Sequence, residues 1–552
     1  MALLLDIFGF VSVLLRGLTL TAQAFTLGGV AFVALLAQPL AAQLGGPGIG
    51  IRQKSYRLLG WSALSLAVVE GLFLTLQLLI LGDTTGLGMK DLAGADFALA
   101  GGALTLAALI LAVLAFRAEY EFDVFLGLLL SAVILGSQAV TSHAAEQILH
   151  RYPLGAAELL HQAAASVWIG GLPYFLIALA KCRDGTAWRR VGKRFSLMSM
   201  ASVAVLASAG LFMAVFYIGS LDALYGTAYG IMVSTKTLLL GGLLLLGGLN
   251  FLHVEKLRRD PNTPVLRLRR FAEAEIGIGL TVLFAAASLT SQPPGIDLTQ
   301  DRASLSEVVE RFTPVWPGFA TPDHASLAIP ELQARLDAEA AQTANHLQAF
   351  AFTPGAGQFP PRNAEDVAWS QYNHHWAGIF VLVIGLLALA ERSGAAPLAR
   401  HWPLLFIGLG VFLLVRSDPE TWPLGDIGFF DSLRDPEVVQ HRVLVLLTLG
   451  FALFEWRVHN GGYRSTWPPL VFPVVMALGG GLLLTHSHAL SNLKDQLLIE
   501  VTHVPLALTA IVAGWSRWLE LRLQPYGSAA LPWIWRVCLV LIGLILLTYR
   551  ET

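Results

Sequence analysis

"LLHQAAASVWIGGLPYFLIAL", residues 159–179, decides how this chain is read. Apart from its histidine the run is predominantly apolar, and it sits inside a stretch, 154–180, longer than the roughly 20 residues a helix needs to cross a bilayer. The segment reads as a membrane helix with an imidazole inside it. An unpaired imidazole there is costly, so His161 asks for a partner or a function.

The rest of the chain repeats the pattern. Of its 552 residues 55% are hydrophobic and 13% charged, and the mean hydropathy is +0.63. Soluble domains carry about 25% charged residues, so the composition predicts an all-α polytopic membrane protein, not a soluble domain on one anchor. Net charge is −2, which gives no reason to expect nucleic-acid binding. Two distant cysteines, Cys182 and Cys538, offer neither a disulfide framework nor a CxxC motif. The first apolar run has no basic leader and no small-residue cleavage site, so it reads as a retained helix. No P-loop and no phosphorylation motif of the Asp-Lys-Thr-Gly type occurs, which argues against direct ATP coupling.

Scanning for spans gives about fourteen, in two helical bundles. They lie near 8–41, 56–82, 93–116, 123–142, 154–180, 194–219, 230–252, 271–291, 375–391, 402–416, 438–456, 468–486, 496–518 and 530–548. The one long gap contains "SQPPG" and "FTPGAGQFPPRN" and reads as an extramembrane loop. The expected organisation is an eight-helix unit, 1–295, a Pro-rich loop, 296–372, and a six-helix unit, 373–552. Basic loops such as "RQKSYR" (52–57) and "KCRDGTAWRRVGKR" (181–194) alternate with loops poor in Lys and Arg. By the positive-inside rule both termini and the long loop then lie outside.

On that topology nine histidines gather near one face: His143, His150, His161, His374, His375, His441, His486, His488 and His503. Any single histidine at a helix end is as readily an interfacial polar residue as a ligand, and His150 beside Arg151 reads that way. The group in the second half, with "THSHAL" at its centre, points instead to a bound metal or haem. Imidazole suits copper, zinc, iron and nickel. Copper is the favoured ion, with its oxidation state open. Haem b, held by His441 and His503 from two helices, is the main rival, and zinc fits the ligand type.

Several segments carry a resemblance. In 159–179 they are His161, Trp168 seven residues on, then Gly170 and Gly171; later come "LYGTAYGIMVSTKTLLLGGLLLLGGLN" (224–250), with Lys236 and Asn250, and "RRFAEAEIGIGLTVLFAAASLTSQPPG" (269–295). Over 150–295 the chain resembles the copper-resistance D (CopD) family. The second half resembles the extra membrane region of long members of that family. The resemblance implies copper handling in the bacterial inner membrane, usually uptake from the periplasm, often with a periplasmic copper-binding partner of the CopC type. It implies a transporter rather than an enzyme. A membrane oxidoreductase and a copper-delivery assembly factor are the alternatives.

Within the first unit, His161 and Trp168 share a helix face, with Trp168 about 10 Å deeper. They read as an entry ligand above a constriction, and the two glycines as a point of close helix approach. Met198 and Met200 could pass Cu(I) inward but serve as readily to fill core gaps. Arg16 and Glu70 could pair inside the bilayer. Glu273 and Glu275 read as interfacial.

Overall fold

A computed structural model describes residues 2–119, 121–141, 150–299, 302–322, 334, 338, 341, 364–419, 421–433, 436–484 and 493–551. Helix makes up 82% of it, and among the described residues there is no strand. The protein is an all-α polytopic membrane protein.

Ten helices are long and apolar enough to cross a membrane among the described residues. In chain order, α1 is Val11–Leu44, α2 Gly46–Thr85 and α3 Asp96–Arg117. The shorter apolar helix α4, Val124–Val140, precedes α5 (Arg151–Lys181), α6 (Gly185–Ile218), α7 (Ala228–Arg259) and α8 (Leu266–Leu289). In the second half come α9 (Val367–Ser393) and α10 (Pro397–Arg416), then α11 (Pro436–His459). The shorter α12 (Pro468–Leu483), α13 (Leu497–Arg522) and the shorter α14 (Leu531–Leu547) complete the order.

Two compact units are present: Phe10–Leu224 with Met232–Thr299, and Gln300–Thr552 with Met1–Gly9 and Tyr225–Ile231. We call them the N-terminal and C-terminal units.

Small residues shape the N-terminal unit. A Cβ on Gly170 would stand 1.8 Å from the carbonyl oxygen of Ala24, and one on Gly28 would stand 2.3 Å from that of Ser166. α1 and α5 therefore touch backbone to backbone, which only glycine allows. At that contact α5 widens into a π-turn, Ser166–Gly170. The π-turn buries Trp168 at 3% exposure. Phe175 and Phe195 stack below it, with ring centroids 4.3 Å apart. Such an inserted residue re-aims side chains and is frequent at functional positions.

In the C-terminal unit, Trp402, Phe472 and Trp535 form an aromatic core, with centroid separations of 5.5–6.0 Å. The described part of the Pro-rich loop lies over one end of α9 and α14. There the Val315 amide donates to the carbonyl of Thr548 at 3.2 Å, and the Trp376 indole donates to that of Phe319 at 3.4 Å.

Candidate functional site

In the C-terminal unit, three rings meet where α9, α13 and the residues after α14 come together. His374 stacks face to face on Tyr549, with centroids 4.0 Å apart and planes 17° apart. His503 meets both edge-on, 5.8 Å from His374 and 5.9 Å from Tyr549. The Thr502 hydroxyl donates to the Tyr549 hydroxyl at 3.3 Å. Beside them the Ser370 hydroxyl donates to Glu551, 2.8 Å away.

The backbone fixes the protonation pattern of these imidazoles. His374 Nδ1 lies 2.7 Å from the Ser370 carbonyl, and His503 Nδ1 lies 2.8 Å from that of Ile499. A carbonyl only accepts, so Nδ1 carries a proton in each ring. A histidine held this way by its own helix, four residues back, is in the tautomer that binds a metal through Nε2. His375 has the opposite arrangement. The Gly318 amide donates to its Nδ1 at 3.0 Å, and its Nε2 donates to the Tyr549 carbonyl at 3.0 Å. At 2% exposure, with both nitrogens on backbone groups, His375 ties the loop and the end of α14 to α9.

His441 is held differently again, by Asp418 Oδ1 at 2.7 Å from its Nδ1. Burial opposes charge on Asp418, but the hydrogen bond and charge of His441, with help from Ser417 and Arg442, hold its carboxyl below the usual range. Arg442 braces that loop by donating to Leu414 O at 2.7 Å and to Thr421 Oγ1 at 3.0 Å. His441 and His503, considered together above as haem ligands, thus engage different partners. His486, His488 and His143 lie outside the described residues. Among the described residues, no group of three or more His, Cys, Asp or Glu side chains is placed to hold a metal ion.

The N-terminal unit holds a polar interior. The His161 ring lies against α6, with Nδ1 3.1 Å from the Leu206 carbonyl. A Cβ on Gly210 would stand 3.2 Å from the ring, so a glycine makes room for it. One turn before His161, Glu158 accepts from Gln162 at 3.1 Å, and Gln162 in turn accepts from Gln23 of α1 at 3.1 Å. Glu158 is within coulombic reach of both Arg16 and Lys236, and Lys236 is within reach of His161. Glu70 accepts from Thr19 at 3.2 Å, with the charge of Arg16 near enough to act on it. Further along the unit, Asn250 of α7 donates to Glu275, beside Trp168 of α5.

Glu275 corrects one reading. It is not interfacial but buried, at 2% exposure, whereas Glu273 pairs with Arg270. Residues two apart on a helix point in different directions, so the two acids had to differ. Met198 packs against the core with its Cε 3.5 Å from a Cβ placed on Gly171, while Met200 is 47% exposed and faces outward. His150 is exposed, its ring 4.8 Å from that of Phe216. The reading from sequence missed Glu158, Gln162, Tyr549, Glu551 and Asp418. The spacing Glu158, His161, Gln162 (i, i+3, i+4) places the three on one face and was the available signal for that trio.

Residues 189–289 match the family model described as copper resistance protein D. That match covers a segment and not the whole chain. The CopD segment holds Met198, Met200, Lys236, Asn250 and Glu275; His161 and Trp168 precede it. A stretch of 173 residues is 36% identical to the copper transport protein CutJ of Bacillus subtilis (strain 168). That match covers 31% of this chain and 29% of CutJ, so the chain spans under a third of that relative's length. No solved structure matches the chain.

Proposed function

We propose that the chain moves copper across the bacterial inner membrane. In this reading the N-terminal unit, with its CopD segment, carries the ion past His161 and Trp168. The C-terminal unit collects the ion at a periplasmic histidine end that includes His374, His503, His441 and, in the chain between α12 and α13, His486 and His488. His375 shapes that end but does not bind the ion. The protein acts as a transporter and not as an enzyme, and a CopC-type periplasmic protein would deliver its cargo.

The observation that carries the reading is the matched tautomer of His374 and His503. Two imidazoles on different helices, their centroids 5.8 Å apart, each have Nδ1 on a carbonyl of their own helix, and imidazole nitrogen suits copper. The test is copper accumulation in cells expressing the chain. A variant with His374→Ala and His503→Ala should accumulate copper at the level of cells lacking the protein while remaining in the membrane. Unchanged accumulation would remove the C-terminal unit from the path.

A further inference from the structure

Two loops of the C-terminal unit hold exposed aromatic rings level with the ends of its spans. The first is the described part of the Pro-rich loop. Its short helix, Leu305–Arg311, is closed by a capping box between Ser304 and Glu307. Val308 turns inward and packs with Leu497, Leu498 and Val501 at the start of α13. Leu305, Val309 and Phe312, spaced i, i+4 and i+7, form a second row, and that row is exposed. Trp316 follows it at 92% exposure. The backbone around Trp316 is tied to span ends. The Val315 amide bonds the carbonyl of Thr548, one residue past α14. Gly318 and Phe319 bond His375 and Trp376, where the apolar run of α9 begins.

The second loop joins α10 to α11. Its Trp422 amide donates to the Ile427 carbonyl at 2.8 Å. Trp422, Phe429 and Phe430 meet edge to face in a row, with centroids 5.5 and 5.4 Å apart. Arg442, inside α11, holds this loop down. Its guanidinium donates to the Leu414 carbonyl within α10, and to Thr421 Oγ1 and the Trp422 carbonyl in the loop. Phe430 is nevertheless 81% exposed.

Apolar surface gathered and held in this way marks an interaction site. Two observations make the partner lipid. Both loops are bonded at the level where apolar spans end, the depth at which bilayers enrich aromatic rings. Each also follows directly on surface that lipid covers in a span. α14 exposes Val537, Leu541 and Leu544 along one face, ending one turn before Thr548, and α11 exposes Val443, Leu444 and Leu447 just past Arg442. We propose that the row Leu305, Val309, Phe312 and Trp316, and the loop bearing Trp422 and Phe430, lie in the headgroup layer as two interfacial anchors of the C-terminal unit. Part of the loop that reads as extramembrane is then held at the membrane surface, whether or not the unit binds copper.

The test is a spin-label depth measurement on the full chain in phosphatidylcholine vesicles. Labels go one at a time on Phe312→Cys, Trp316→Cys and Phe430→Cys, exposed sites whose replacement leaves the core intact, while the native Cys182 and Cys538 are buried. Leu446→Cys, exposed within α11, marks the bilayer interior, and Arg464→Cys, exposed beyond its end, marks water. At all three sites, collisions with oxygen, which concentrates in lipid, should exceed those at Arg464→Cys. Collisions with a water-soluble nickel chelate should fall below those at Arg464→Cys and above those at Leu446→Cys. Rates equal to those at Arg464→Cys would place the loops in water and overturn the proposal. Low rates with both reagents would mean protein cover, by a second copy or another segment of the chain, and would overturn it as well.

Discussion

His374 lies flat on Tyr549, centroid to centroid 4.0 Å, while its neighbour in sequence, His375, bonds the backbone carbonyl of the same tyrosine at 3.0 Å. Two consecutive histidines thus read one residue in two ways, one through its ring and one through its backbone. The division separates a proposed ligand from a fastener.

The two histidines should therefore fail differently. His375→Ala removes the partner of the Gly318 amide and of the buried Tyr549 carbonyl, at a cost of about 1–3 kcal/mol, and should lower the melting temperature in detergent without changing the copper bound per folded molecule. His374→Ala should do the reverse. Equal effects of both variants on both measurements would collapse the distinction.

Tyr549→Phe keeps the stacked face and removes the hydroxyl bonded to Thr502, so it should cost about 1 kcal/mol. Tyr549→Ala removes the ring that both His374 and His503 lean on and should cost about 3–5 kcal/mol. Thermal unfolding followed by tryptophan fluorescence would rank the pair, and the account requires the Ala variant to be clearly the weaker.

The contact of α1 with α5 tolerates no side chain. Gly170→Ala places a methyl group 1.8 Å from a backbone oxygen, so one helix must move. The expected cost is about 3 kcal/mol, seen as reduced yield and an earlier melting transition. Gly102→Ala, where a Cβ would meet nothing within 4 Å, is the control and should be neutral.

Asp418 gives a pH dependence of known sign. Its folded carboxyl lies below the usual range, chiefly through His441 working against burial. A depressed acid stabilises the fold fully above its unfolded pKa of about 3.9, and that stability is lost as pH falls through the lower folded value. Melting temperatures measured from neutral pH downward should fall less steeply in Asp418→Asn than in the native protein at the acid end. Parallel curves would mean that the His441 contact contributes nothing to stability.

Much of the fold was legible because a bilayer leaves few options. Apolar runs of bilayer length can only be helices, and the helices found overlie the runs read from sequence, including the region 438–456 within α11. The site was less legible, for reasons visible in single residues. His374 and His375 are indistinguishable in sequence, since the groups that separate them, Gly318 and Tyr549, lie 57 and 174 residues away. Asp418 found His441 across a turn rich in proline and glycine, where no periodicity operates. Glu275 could have been singled out, because its partner Asn250 was already a landmark and Glu273 had a nearer cation in Arg270.

The central claim is that this chain binds copper through imidazoles of its C-terminal unit, and metal analysis of the purified protein tests it most directly. Loaded with copper and passed over a desalting column, the native protein should retain copper. The variant with His374→Ala and His503→Ala should retain less per molecule, and His375→Ala should match the native protein. Equal copper in the native protein and the double variant, or none in either, would contradict the account.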